Sequence, residues 1–219
     1  MNNYEIKKIN ISNHLYPKLL KEITNPPQVI YYVGKLEQAL LFPLAVVGSR
    51  RSDKYGKDVL LSLLTPDITD NTIIISGLAR GIDTQAHLLA KHTIAVLGTG
   101  LDPASFYPPE NWLLCQRIVA QGGLVISEYP PGTKANSKNF PQRNRIIAGL
   151  CRAVLVVQAQ KRSGALITAR LALEGGRDVL AVPGSIFNDL SAGVNQLISQ
   201  GATPICNSND LKQCLTENS

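Results

Sequence analysis

The stretch SKNFPQRNRIIAGL, from Ser137 to Leu150, places Arg143 and Arg145 in the opening turns of an amphipathic helix with Pro141 near its start. The positive end of the helix dipole lies there, so a basic side chain is disfavoured by about 0.3–1 kcal/mol unless an anion joins it. Three other segments share this make-up of small residues with cations: Gly48-Ser49-Arg50-Arg51, Ser76-Gly77 running on to Arg80, and Lys161-Arg162-Ser163-Gly164. Glycine and serine let backbone N–H groups approach a phosphate closely, while the arginine fork matches two phosphate oxygens at once. Together the four segments describe an anion cleft.

Within the first segment, Phe140 is flanked by Lys138 and Arg143, with Lys134 further upstream. An aromatic ring among cations suits single-stranded nucleic acid, where a base stacks on the ring and the cations hold the backbone. It equally suits a hydrophobic staple for the helix. Asn139 and Asn144 offer amides that reach bases or sugars, or that cap turns.

Other chemistries find less support. Gly98-Thr99-Gly100 begins like a dinucleotide fingerprint, but Pro103 stands at the third glycine position, and there is no GxxxxGK[ST] phosphate loop. No cofactor is expected. His87 and His92 read as packing or surface residues, and Asp83 as a cap or an ion-pair partner of Arg80. Neither Ser127-Glu128 nor Ser163-Gly164 has a nucleophile turn with an acid–base partner, so no catalytic residue is assigned. Cys115, Cys151, Cys206 and Cys214 form no CxxC pair, which excludes a zinc finger or disulfide framework and suits a reducing cytoplasm.

The elements that must position these loops are legible from periodicity. Apolar, β-branched runs begin at Leu44, Thr72, Thr93, Leu124, Ala153 and Asp178, and helical patterns such as YGKDVLLSLL and GALITARLALEGG separate them. This alternation predicts an α/β fold, an extended Rossmann-like, mostly parallel sheet with helices on both faces. The core spans residues 42–219, and residues 1–41 form a short extension of a helix, a Pro-Pro turn and one strand. In such sheets, ligands bind at the carboxyl ends of the strands, where all four basic segments fall.

Charge supports the same face. The net charge is +6, yet between Tyr129 and Leu173 there are eight lysines and arginines and no acid, leaving −2 for the remainder. Concentration of basicity in one segment fits a polyanionic partner, although a solvated basic face has the same composition. The amino terminus lacks the apolar core of a signal peptide, and no run reaches the about 18 apolar residues of a membrane span.

The segments AVVGSRR, SGLARGID, IAVLGTGLD with YPPEN, ISEYPPGT, FPQRNRIIAGL and RSGALITARLALEGGRDVLAVPG, with GVNQLISQGA, resemble the DNA-processing protein A family, DprA or Smf, across about residues 16–205. The resemblance implies a core that binds single-stranded DNA, dimerises, and helps load a RecA-type recombinase in transformation or recombination. It implies a basic pocket at Gly48, Ser49, Arg50 and Arg51, at Lys138 to Phe140 with Arg143 and Arg145, and at Ser163 and Gly164. Many relatives carry a winged-helix domain after the core, and none is expected in this chain. Gln158 stands where relatives often have Glu, which would make the pocket slightly more positive.

The leading expectation is therefore a non-enzymatic single-stranded DNA-binding module. The competing class is a nucleotide or sugar-phosphate hydrolase on a similar fold, with Glu128 as its candidate acid, because fold alone does not fix function. A scaffold whose cleft holds only a structural phosphate is the third reading.

Overall fold

The computed structural model describes residues 5–36 and 41–217; residues 1–4 and 37–40 of the expected extension, and the last two residues of the core, lie outside that description. The chain begins with β1 (Lys7–Asn10), α1 (Lys18–Lys21) and β2 (Val29–Gly34). It continues through β3 (Phe42–Val47), α2 (Lys54–Leu63), α3 (Pro66–Asn71), β4 (Thr72–Ser76), α4 (Ile82–Leu89) and β5 (His92–Leu97). After a 3-10 turn at Pro109–Asn111 follow α5 (Trp112–Ala120), β6 (Leu124–Ser127), α6 (Asn139–Leu150) and β7 (Ala153–Val156). The last elements are α7 (Gly164–Glu174), β8 (Asp178–Ala181), α8 (Asp189–Ser199), β9 (Thr203–Pro204) and α9 (Ser208–Glu217).

Among the described residues, nine strands form one sheet in the order β1-β2-β6-β5-β4-β3-β7-β8-β9. From β6 to β9 every pairing is parallel, and β1 and β2 add on antiparallel beyond β6. β1 escaped the periodicity reading because KKIN buries only Ile9; its lysines suit an edge strand, where charge blocks further pairing.

The apolar runs work because each strand feeds two cores. Ala45 and Val47 of β3 join one cluster with Val154, Val156, Ile146 and Ala169, while Leu44 and Val46 join another with Leu60, Ile82 and Leu155. Successive side chains alternate between the faces, so a strand covered on both sides must be apolar throughout. Helices α1, α6, α7 and α8 cover the first face. Helices α2, α4 and α9 cover the second, and α5 packs beside them over β5 and β6.

From β3 the chain proceeds toward β6 on one side, then returns to β7 on the other. The carboxyl ends of β3 and β7 thus flank a topological switch point, where two successive loops diverge and leave a crevice.

Candidate functional site

The crevice is real: a groove of about 740 Å³ opens there. Gly48, Ser49, Arg50 and Arg51 form its wall after β3, Phe140, Arg143 and Asn144 enter from α6, and Ser163 and Gly164 close it at the start of α7. A neighbouring cavity of about 220 Å³ shares Arg50, Arg51, Phe140 and Arg143 with the groove and adds Gly77 and Arg80. Backbone contacts hold these loops in register. Ile82 N donates to Ser49 O at 3.2 Å, a contact that needs Gly81, whose φ is +75° and whose added Cβ would sit 2.2 Å from that oxygen.

Arg143 forms the floor. It is only 4% exposed, and its Nη1 donates to Gly77 O at 2.7 Å and to Val96 O. Carbonyls at the carboxyl ends of parallel strands have lost their ladder partners, and a guanidinium supplies the missing donors. Gly77 leaves room beneath it, since a Cβ would lie 2.6 Å from Arg143 Nη2. Burial lowers the Arg143 pKa to about 10, with Asp83 opposing that shift and Arg50 adding to it.

Asp83 does not pair with Arg80. Its buried Oδ2 accepts from Gly77 N at 3.0 Å and Ala79 N at 3.4 Å, and burial raises its pKa against the pull of Arg143 and those amides. Behind it lies buried His87, with Nδ1 2.7 Å from Thr93 Oγ1. Burial first, then repulsion from Arg143, brings the His87 pKa down to about 3, so the ring is a neutral packing group.

The wall is built differently. Arg50 and Arg51 are exposed, and the Arg50 guanidinium lies over the Phe140 ring, 5.2 Å from its centroid. Tyr107 approaches Phe140 from another side, at 5.7 Å between ring centroids and a tilt of 51°. Gly98 makes room for this cluster, since a Cβ there would meet Phe140 Cδ1 at 3.0 Å. The Gly98-Thr99-Gly100 turn thus seats an aromatic ring. Ser49 Oγ accepts from Arg51 N at 3.1 Å, which fixes the loop that aims both arginines. Ser163 occupies the N-cap position of α7, and its buried hydroxyl makes no hydrogen bond.

Several expected site residues lie elsewhere or are already engaged by the protein itself. Arg145 projects from another flank of α6 and pairs with Glu128 at 2.5 Å, near Tyr16. Two residues along a helix turn a side chain by about 200°, so Arg143 and Arg145 could not both enter one groove. Arg80 lines the smaller cavity but is ion-paired to Glu110. Ser76 is fully buried inside the sheet, where its hydroxyl donates to Val46 O at 2.6 Å. The amides of Asn139 and Asn144 bond to protein backbone, at Gly98 O (3.2 Å) and Gly164 O (3.1 Å).

Lys134 and Lys138 are exposed on the loop whose Ala135 and Ser137 line the groove, which puts them at its rim. Lys161 and Arg162 line an adjoining, mostly apolar cavity between α7 and α8, which shares Ser163, Gly164 and Ile167 with the groove. Gln158 is fully buried outside the groove's lining and donates to Asp53 Oδ1 at 2.8 Å.

Sequence reasoning missed Tyr107, although an aromatic beside Pro108-Pro109 in the loop after β5 was a usable signal. It also missed Leu78, a buried residue with φ +52°, whose carbonyl accepts from Asn111 Nδ2 at 2.9 Å. A left-handed, β-unbranched residue held by burial marks a loop whose shape is enforced by its surroundings. Among the described residues, no group of three His, Cys, Asp or Glu could hold a metal ion, and no helix is long and apolar enough to cross a membrane.

Comparison with known proteins agrees with this architecture. The DNA processing protein DprA of Streptococcus pneumoniae is 46% identical over 207 residues, 92% of this chain and 72% of that protein. Its X-ray structure superposes with a TM-score of 0.89 over 95% of this chain and 74% of that one. Protein Smf of Synechocystis is 45% identical over 90% of this chain, which spans half of that relative's length. DNA processing protein A of Helicobacter pylori, 29% identical, matches with a TM-score of 0.86 over 99% of both chains, and its structure is described as revealing a unique single-stranded DNA binding mode. Residues 7–216 match the family of DNA recombination-mediator protein A, and the chain belongs to that family.

Proposed function

We propose that the groove binds single-stranded DNA and that the chain acts on it without catalysis. The observation that carries this reading is the cluster of Arg50, Phe140 and Tyr107 standing beside free Arg51 at the mouth of a glycine- and serine-walled groove. Every base has a π-face, so an aromatic platform with cations beside it holds a single strand with little regard to sequence. The relative from H. pylori, described as binding single-stranded DNA, supports the same assignment. The employment of the carboxylates supports the absence of catalysis, since Asp83 is enclosed by backbone amides and Glu128 is neutralised by Arg145.

Lys134, Lys138, Ser163 and Gly164 complete the proposed backbone track. Through the family, we assign a RecA-type recombinase as the protein that receives the strand, a homodimer as the working form and the cytoplasm as the compartment. The test is an oligonucleotide titration across salt concentrations, with single and double strands compared. Single-strand affinity should fall with a log-log slope of about −0.7 per phosphate contact. Capture of inorganic phosphate without oligonucleotide binding would overturn the reading, as would hydrolysis of nucleoside monophosphates that Glu128→Ala abolishes.

A further inference from the structure

Phe187 and Ile186 are 93% and 84% exposed, the most exposed of the large apolar side chains among the described residues. They form the tip of the loop between β8 and α8, on the carboxyl edge of the sheet that also carries the groove. The tip is a fixed turn, with Asn188 N donating to Ser185 O at 3.1 Å and Phe187 N to Ser185 Oγ at 3.2 Å. It is also fastened to the start of α2. Tyr55 donates its hydroxyl to Pro183 O at 2.6 Å, and Asn188 Nδ2 donates to Asp53 Oδ2 at 3.1 Å.

These attachments tie the Phe187 turn to the loop that walls the groove. Asp53 caps α2 only two residues after Arg51, and Leu190, three residues beyond Phe187, lines the groove itself. Lys54, exposed in the first turn of α2, pairs with Asp58 at 3.6 Å. The oxygens of Asp53, the nearest acid on that loop, are already taken by Gly56 N, Gln158 and Asn188. An aromatic ring on a fixed turn, tied to the loop that carries Arg50 and Arg51 and continuous with the groove through Leu190, has the composition of a base-stacking platform. Arg51, two residues before the Asp53 that anchors the turn, complements a phosphodiester better than an apolar protein surface.

We infer that Phe187 is a second stacking platform, which takes a nucleobase of the same DNA strand where that strand leaves the groove past Arg51. The inference rests on the reading of the groove as a single-stranded DNA site, and it extends the footprint from Phe140 to the β8–α8 loop.

The test measures binding of oligothymidylates of about 6 and about 24 nucleotides, lengths that bracket a groove-only and an extended footprint. Phe187→Ala should weaken the long oligonucleotide about 5- to 150-fold, the loss expected for one stacked base, and leave the short one unchanged. Phe187→Trp should retain the affinity, whereas Phe187→Leu, apolar without a π-face, should behave like Ala. Because the side chain is exposed, thermal unfolding should be unaltered in all three. A wild-type chain that binds neither oligonucleotide overturns the groove reading and this inference with it. Wild-type binding matched by Phe187→Ala at both lengths overturns this inference alone, as does a Phe187→Ala defect confined to self-association.

Discussion

Arg143 and Arg50 border the same groove, one beneath it with its guanidinium on strand carbonyls, the other beside it with its guanidinium over an aromatic ring. The floor consists of Arg143, Asp83 and His87, all buried, whose polar atoms are committed to protein partners or shielded from water. The wall consists of Arg50, Arg51, Phe140 and Tyr107, partly or fully in solvent. A buried charge is held by what it lacks in water, so removing its surroundings is costly; an exposed charge contributes little to folding and is available to a ligand. The groove thus separates two tasks, with the floor fixing the shape and the wall offering the chemistry.

The largest expected effect falls on the floor. Arg143→Ala strips the donors from Gly77 O and Val96 O and leaves Asp83 without its nearest positive charge, which should destabilise the fold by about 3–5 kcal/mol in urea denaturation. A loss below about 1 kcal/mol would make Arg143 a ligand residue after all and erase the contrast.

The floor should also shape the acid limb of stability. The His87 pKa is lowered from 6.5 to about 3 in the folded protein, so the unfolded chain takes up the proton first as pH falls. Its contribution is fully present above about pH 6.5 and is lost progressively as pH falls toward about 3. Asp83, whose pKa is raised, has the opposite sign: the folded state binds its proton more readily, which favours folding as the medium becomes acidic. Substituting His87→Leu isolates the first contribution, and urea midpoints measured between about pH 7 and pH 4 should then fall less steeply than in the wild type.

On the wall, effects should appear in binding rather than stability. Phe140→Ala should cost about 1–3 kcal/mol of single-strand affinity, the range for one stacked base, with a smaller change in melting temperature. Equal affinity in the variant would leave the ring as a staple for α6. The smallest effects belong to single cations. Arg51→Ala and Lys138→Ala should each weaken binding to all sequences alike and make the salt slope shallower by about 0.7, with stability altered by less than about 0.5 kcal/mol. An unchanged slope in either variant would remove that residue from the backbone track.

Much of this was legible in the sequence. Alternating apolar runs and helical patterns determine a doubly covered parallel sheet, because each strand must be apolar on both faces and each helix on one. Glycines with arginines after successive strands placed the basic loops at one edge, and Gly48 to Arg51, Phe140, Ser163 and Gly164 do meet there. Lys161 and Arg162 sat next to Ser163 in the same motif, yet they line the adjoining cavity and not the groove, while Ser163 and Gly164 line both. The exposed Phe187 gave no pattern at all, since a lone aromatic in a loop has no period.

The sequence by itself determined the alternation of core strands and helices, the edge at which polar chemistry collects and the residue types available there, all of which depend on short-range spacing. Only the tertiary structure decided which arginine is spent and which is offered. Arg143 meets carbonyls 66 and 47 residues away in the chain, and Arg145 meets a carboxylate 17 residues away. Hydrogen-bond partners of a long, flexible side chain are set by which strands lie side by side, and local spacing carries no record of that.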